Sequence, residues 1–93
     1  MATTFFASHP DPVKQGVRID KTKYETMRTA IIDVLKAYGR MTFMELNALV
    51  EEKLNGSFDG SVSWYFTTVK LDLEARGEVR RVPKSKPQVI ELV

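Results

Sequence analysis

At Gly77 the chain changes its period. Before that glycine, Val62, Phe66, Val69 and Leu73 recur at three- and four-residue spacing, which places them on one face of an α-helix. After it, Glu78-Val79-Arg80-Arg81-Val82 and Gln88-Val89-Ile90-Glu91-Leu92-Val93 are roughly alternating apolar-polar runs. They are separated by Pro83-Lys84-Ser85-Lys86-Pro87, so a β-hairpin with a five-residue loop is predicted. A helix that must stop at one residue and hand its apolar face to a hairpin leaves few layouts open. The two have to share a core, and the class is α+β.

Two further helices precede this unit. Thr22-Lys23-Tyr24-Glu25 has the form of a capping box, in which each side chain satisfies the other residue's unpaired backbone N–H. A first helix is therefore expected from near Thr22, with Tyr24, Met27, Ile31, Leu35 and Tyr38 as its stripe and Gly39 as its stop. Arg40 and Met41 leave room for a very short strand. Thr42-Phe43-Met44-Glu45 then repeats the capping-box form and opens a second helix with the stripe Phe43, Leu46, Val50 and Leu54, closed by Asn55-Gly56. Turn chemistry at Ser57-Phe58-Asp59-Gly60 leads to Ser61, a suitable N-cap for the third helix, which runs to Arg76. The predicted order is helix, short strand, helix, helix, strand, strand. Residues 1–16 hold two prolines, a glycine and no periodicity, and they read as a loosely packed arm. Adjacent Phe5 and Phe6 suggest that this arm folds back onto something apolar. The division is a 1–19 arm and a 20–93 domain.

With 93 residues, 43% of them hydrophobic, the chain supports one small core and no second domain. The absence of cysteine excludes disulfides, cysteine-ligated zinc and a thiol nucleophile, and it suits a reducing interior. The N-terminus lacks a basic start followed by an apolar run, and nowhere do about 18 apolar residues run together. Neither export nor a membrane span is expected, and the cytoplasm is the default. The formal net charge of +2 matters less than its distribution. Arg80, Arg81, Lys84 and Lys86 cluster without an acid, and Lys14, Arg18, Lys21 and Lys23 stand against Asp20. Such clusters attract polyanions or simply form a solvated face.

The element order, and the junction Leu73-Glu74-Ala75-Arg76-Gly77-Glu78-Val79 in particular, resembles the winged helix-turn-helix of bacterial regulators, with a three-helix core and a C-terminal β-hairpin wing. The resemblance covers about residues 20–93. More narrowly, Arg18-Ile19-Asp20, Lys23-Tyr24, Met27-Arg28, Gly60-Ser61-Val62, Trp64-Tyr65 and Val69-Lys70-Leu71-Asp72-Leu73-Glu74-Ala75-Arg76-Gly77 look like a family of small, uncharacterised bacterial winged-helix proteins. That likeness implies a fold and carries no activity with it.

The third helix has a second apolar face, with Trp64, Thr68, Leu71 and Ala75 at spacings of four, three and four. In the winged-helix layout this side is offered to the DNA major groove. For DNA, Ser61 and Ser63 are candidates for phosphate contact at the helix N-terminus, Thr67 and Thr68 for base edges, and Arg80, Lys84 and Lys86 for a basic wing. Against DNA, residues 61–69 carry no charge and lack the side chains that make bidentate base contacts. Sequence-specific readout by this helix is therefore expected to be weak. The competing expectation is that Trp64 and Leu71 form a protein interface, covered by the arm through Phe5 and Phe6, by a second copy, or by another protein.

Catalysis is not expected. His9, the lone histidine, sits in His9-Pro10-Asp11-Pro12 without a carboxylate cluster at ligand spacing, so no metal is expected either. Glu51 and Glu52 are adjacent, and Asp72 and Glu74 lie two apart, so on a helix each pair points apart. No glycine-rich phosphate loop or cofactor signature occurs. The sequence thus leads to a non-enzymatic winged-helix DNA-binding protein, a regulator with weak or non-specific contact to double-stranded DNA. The alternative is a dimerisation or protein-interaction module of the same shape.

Overall fold

A computed structural model describes residues 3–93. The chain order is β1 (Thr4–Ala7), β2 (Val17–Asp20), α1 (Lys21–Tyr38), β3 (Met41–Thr42), α2 (Phe43–Leu54), α3 (Val62–Ala75), β4 (Val79–Arg81) and β5 (Val89–Leu92). It is a three-helix α+β fold with two antiparallel sheets, β1-β2 and β3-β5-β4. From α1 onward every expected element is present.

The helix ends follow from local chemistry. At α2 the Thr42 hydroxyl accepts from the Glu45 N–H at 3.1 Å, and Glu45 Oε1 accepts from the Thr42 N–H at 3.0 Å. These bonds to Thr42 hold the Glu45 carboxyl below its ordinary value. Ser61 caps α3 by accepting from the Trp64 N–H at 3.2 Å. Gly77, with φ 75°, ends it in a conformation that only glycine takes without strain. The start of α1 differs from expectation. Asp20, not Thr22, is its cap, accepting from the Lys23 N–H at 3.0 Å, because a carboxylate satisfies the orphan N–H groups and also complements the positive helix end.

The core lies where the three helices meet the second sheet. Met27 and Ile31 of α1, Leu46 and Val50 of α2, and Phe66, Val69 and Leu73 of α3 are fully buried, together with Ile90 of β5. Each contributes on the order of 1.5–3 kcal/mol by leaving water. Val62, the first residue of the expected α3 stripe, is only partly buried. The hairpin strand β5 is central: Met41 pairs with Ile90 on one side of it, and Val79 with Leu92 on the other.

The N-terminal arm is the main departure. Its first two residues lie outside the described residues; the rest forms a β-hairpin in register Phe5↔Ile19 and Phe6↔Arg18. Ala7 and Ile19 join the same core cluster as the helices, so this stretch is packed structure where a loose arm was expected. Each strand is only four residues long and the two are separated by residues 8–16 with their two prolines, which hides the alternation in the sequence. What makes them strands is pairing with each other and a surface on α1 and α3 to cover.

Candidate functional site

Two surfaces carry the candidate residues, the outer face of α3 and the tip of the β4-β5 hairpin. On α3 the inward stripe is sealed, and the outer one is open: Trp64 is 49% exposed, Thr67 is exposed, and Thr68 and Leu71 are half-buried. Trp64 meets Tyr65 edge-on at 4.9 Å, Tyr65 meets Phe58 edge-on at 5.1 Å, and the Lys23 ammonium stands 5.4 Å from the Tyr65 ring centre. The first turn of α3 is therefore an aromatic cluster with one face to solvent.

The hydroxyls of that turn are engaged within the chain. Ser61 Oγ is spent on the cap, and Ser63 Oγ donates to Glu51 Oε1 of α2 at 2.8 Å. A carboxylate held there disfavours a phosphate at Ser63. Arg80 is likewise committed, paired across the sheet with Glu91. Arg81, its neighbour on β4, does not share that partner, since successive side chains of a strand point to opposite faces. Lys84 and Lys86 are exposed, and among the described residues neither makes an ion pair. Between them Ser85 braces the turn: its hydroxyl donates to the Val82 carbonyl at 2.7 Å and accepts from the Val89 N–H at 2.9 Å. Lys84 itself has φ 62°. The β4-β5 hairpin tip is thus a shaped turn carrying two ammonium groups without ion pairs among the described residues, while Ser61, Ser63 and Arg80 are occupied.

Phe5 and Phe6 do not meet Trp64 as partners in an aromatic pair. Phe5 stacks on Tyr24 at 4.0 Å and lies under the Arg76 guanidinium at 4.8 Å, at the C-terminal end of α3, whereas Trp64 is in its first turn. Phe6 is 49% exposed, with Arg18 at 6.0 Å from its ring.

Behind the outer face of α3 lie two buried charges. Asp72, fully buried, accepts from the Ser8 N–H at 2.8 Å, from the Tyr24 hydroxyl, and from Arg76 Nε at 2.9 and 3.0 Å. Burial first, and then the bond to Asp72, raise the Tyr24 phenol well above its ordinary value. The bond to Asp72 raises Arg76 as well. Lys70, 2% exposed, pairs with Glu74 at 3.3 Å and faces the Phe43 ring at 5.4 Å. Burial lowers its ammonium below the usual lysine value, and Glu74 acts against that shift. Asp72 and Glu74 do point apart, one to each flank of the inward stripe. The sequence signal for both partnerships is the i,i+4 spacing, Lys70 with Glu74 and Asp72 with Arg76, bordering the stripe.

His9 accepts from the Asp11 N–H at 3.0 Å through Nδ1, a local turn contact. Among the described residues no three metal-ligating side chains come together, and no helix is long and apolar enough to cross a membrane.

The chain belongs to a family described as a family of unknown function (DUF6958), which it matches over residues 6–90. No curated protein and no solved structure matches it.

Proposed function

We propose that this protein is a winged helix-turn-helix module, a non-enzymatic bacterial regulator that holds duplex DNA weakly and without reading its sequence, through the tip of its wing. The fold reading is supported by the order α1, β3, α2, α3, β4, β5, with β3 pairing onto the C-terminal hairpin. The single observation that carries the DNA reading is the pair Lys84 and Lys86, free of ion pairs among the described residues and presented by a braced turn. Phosphate contact by such a tip is electrostatic and indifferent to base identity. A cysteine-free chain suits the reducing cytoplasm in which such a regulator works.

The test is fluorescence anisotropy of a labelled mixed-sequence duplex at low and near-physiological salt. The affinity should fall with salt at about 0.9 log units per phosphate neutralised, and Lys84→Glu with Lys86→Glu should abolish it. Absence of binding even at low salt ends this reading.

A second reading is favoured by Trp64 and by the Ser63–Glu51 contact beside it. An exposed tryptophan next to a carboxylate is better suited to a protein, a second copy or another chain, than to a phosphate backbone. Leu71→Glu should then abolish self-association or partner capture while leaving DNA affinity alone. Unchanged sedimentation of the wild type and the variant at high concentration, together with no captured partner, would sink it.

A further inference from the structure

Away from the candidate residues of α3 and the hairpin tip, α1 and the C-terminal half of α2 leave a furrow between them. Two adjoining depressions of about 370 and 390 Å3 share Lys53 as a wall. Along α1 they follow consecutive turns from Glu25 to Tyr38, a run of about 20 Å at 1.5 Å per residue. The floor is apolar: Ala30, Val34 and Leu54 are core residues that close it from below, and the half-buried Leu49 with the exposed Ala37 and Tyr38 supply its accessible apolar surface. At one end stands Tyr38, 68% exposed although its spacing belongs to the core stripe of α1. It extends past the end of that core and leaves an aromatic ring at the mouth of the furrow.

The rim is acidic on a chain that is basic overall. Glu25, Asp33 and Glu52 line it against the single base Lys53. Among the described residues Asp33 and Glu52 make no ion pair, and Glu25 meets only Lys21, at 3.9 Å between two exposed side chains. An apolar trough about 20 Å long with unpaired carboxylates on its rim has the dimensions and sign to take about 13 residues of amphipathic helix whose polar face is basic.

We propose that this furrow docks a basic amphipathic helix of another protein. A second copy of the chain does not supply such a helix. Its own stripes, including Met27 and Ile31, Leu46 and Val50, and Phe66 and Leu73, are consumed in the core. Among the described residues the large apolar side chains that its helices leave in solvent are Tyr38, which belongs to the furrow itself, Met44, single at the start of α2, and Trp64, whose neighbour Ser63 holds Glu51, so that this face would bring a further carboxylate to the acidic rim. The docking surface is independent of the wing and of the DNA reading.

The test uses the full chain and a labelled, end-capped peptide of about 14 residues, with leucines at helical spacing and lysines elsewhere, at near-physiological salt so that unspecific attraction is screened. Two controls accompany it, a scrambled peptide of the same composition and a version with glutamates for lysines. The leucine-lysine peptide should bind, and each control should bind at least about tenfold more weakly. Asp33→Lys with Glu52→Lys, both at exposed positions, should also weaken peptide binding about tenfold, with the circular dichroism unchanged and the duplex affinity not reduced. Tyr38→Ala should weaken it with the acids intact. Equal binding of the scrambled peptide, or full affinity in the charge-reversed variant, overturns the proposal. So does a wild-type dimer that Tyr38→Glu dissolves, since the occupant would then be a second copy.

Discussion

The backbone N–H of Ser8 donates to Asp72 Oδ1 at 2.8 Å, joining residues 64 positions apart. This one bond fixes the end of β1 to the last turn of α3, and the same carboxylate takes the Tyr24 hydroxyl from α1 and the Arg76 guanidinium from the C-cap of α3. Three segments therefore meet at one buried charge, which is tolerable only because its lone pairs are so fully used.

Asp72→Ala should cost about 2–3 kcal/mol, because it leaves the Tyr24 hydroxyl and the Ser8 N–H without an acceptor while Arg76, partly exposed, turns to water. Urea unfolding would measure the loss. Hydrogen exchange should speed up first at Phe5 and Ala7, whose hairpin has lost its tie. Unchanged protection there would show that the hairpin is held by other contacts.

Gly16→Ala should open the same hairpin by a different route. A Cβ at this position would lie 2.1 Å from the Ala7 carbonyl oxygen and 3.0 Å from the Phe6 ring, so backbone has to move. A destabilisation of about 1–3 kcal/mol is expected by thermal or urea unfolding, and a silent substitution would contradict the register of β1 on β2.

Tyr24 gives the protein an alkaline limit. Its phenol is raised in the fold, so above about pH 10 the unfolded chain ionises first, the native state binds more protons, and stability falls as pH rises. Lys70 acts with the opposite sign, since burial lowers it and the unfolded chain then holds the extra proton through the window below the usual lysine value. The comparison with Tyr24→Phe isolates the first effect. The variant should be less stable near neutral pH by about 1–3 kcal/mol, for want of a donor to Asp72, and the gap to wild type should close between about pH 10 and pH 12. A gap that stays constant over that range would refute the linkage.

Lys70→Met alone should destabilise by about 3 kcal/mol, because it strands the largely buried Glu74 carboxylate. Lys70→Met combined with Glu74→Leu should recover most of that loss, since a buried ion pair is often no better than an apolar pair of similar volume. A double-mutant cycle by urea unfolding gives the coupling, and additive losses would show that the two charges do not depend on each other.

Much of the architecture was legible because it is local. The stripes of Phe66, Val69 and Leu73, the Thr42–Glu45 capping box, the Ser61 cap and the stop at Gly77 each follow from neighbours within one or two helical turns. The Asp20 cap is hidden in the sequence because two capping signals overlap at 20–25, and the carboxylate takes the role that the Thr22-to-Glu25 pattern also fits. Among the site candidates, sequence spacing identified Trp64 as the outward aromatic and Lys84 and Lys86 as turn residues. It had no means of finding Glu91 opposite Arg80, or Glu51 beside Ser63, because these partners are set by strand register and by the angle at which α2 crosses α3.

The sequence by itself determined the periods, the caps and the stops, and through them three helices, a short strand and a C-terminal hairpin in that order. Only the tertiary structure decided that the N-terminal segment is a hairpin and that Asp72 is its anchor. Periodicity and capping act over distances of a few residues, whereas a four-residue strand becomes stable only when a partner strand and a covering surface are supplied from elsewhere in the chain. The same holds for charge: residue types give its sign, and the fold determines which carboxylates are consumed, as at Asp72, and which are left free at the rim of the α1–α2 furrow.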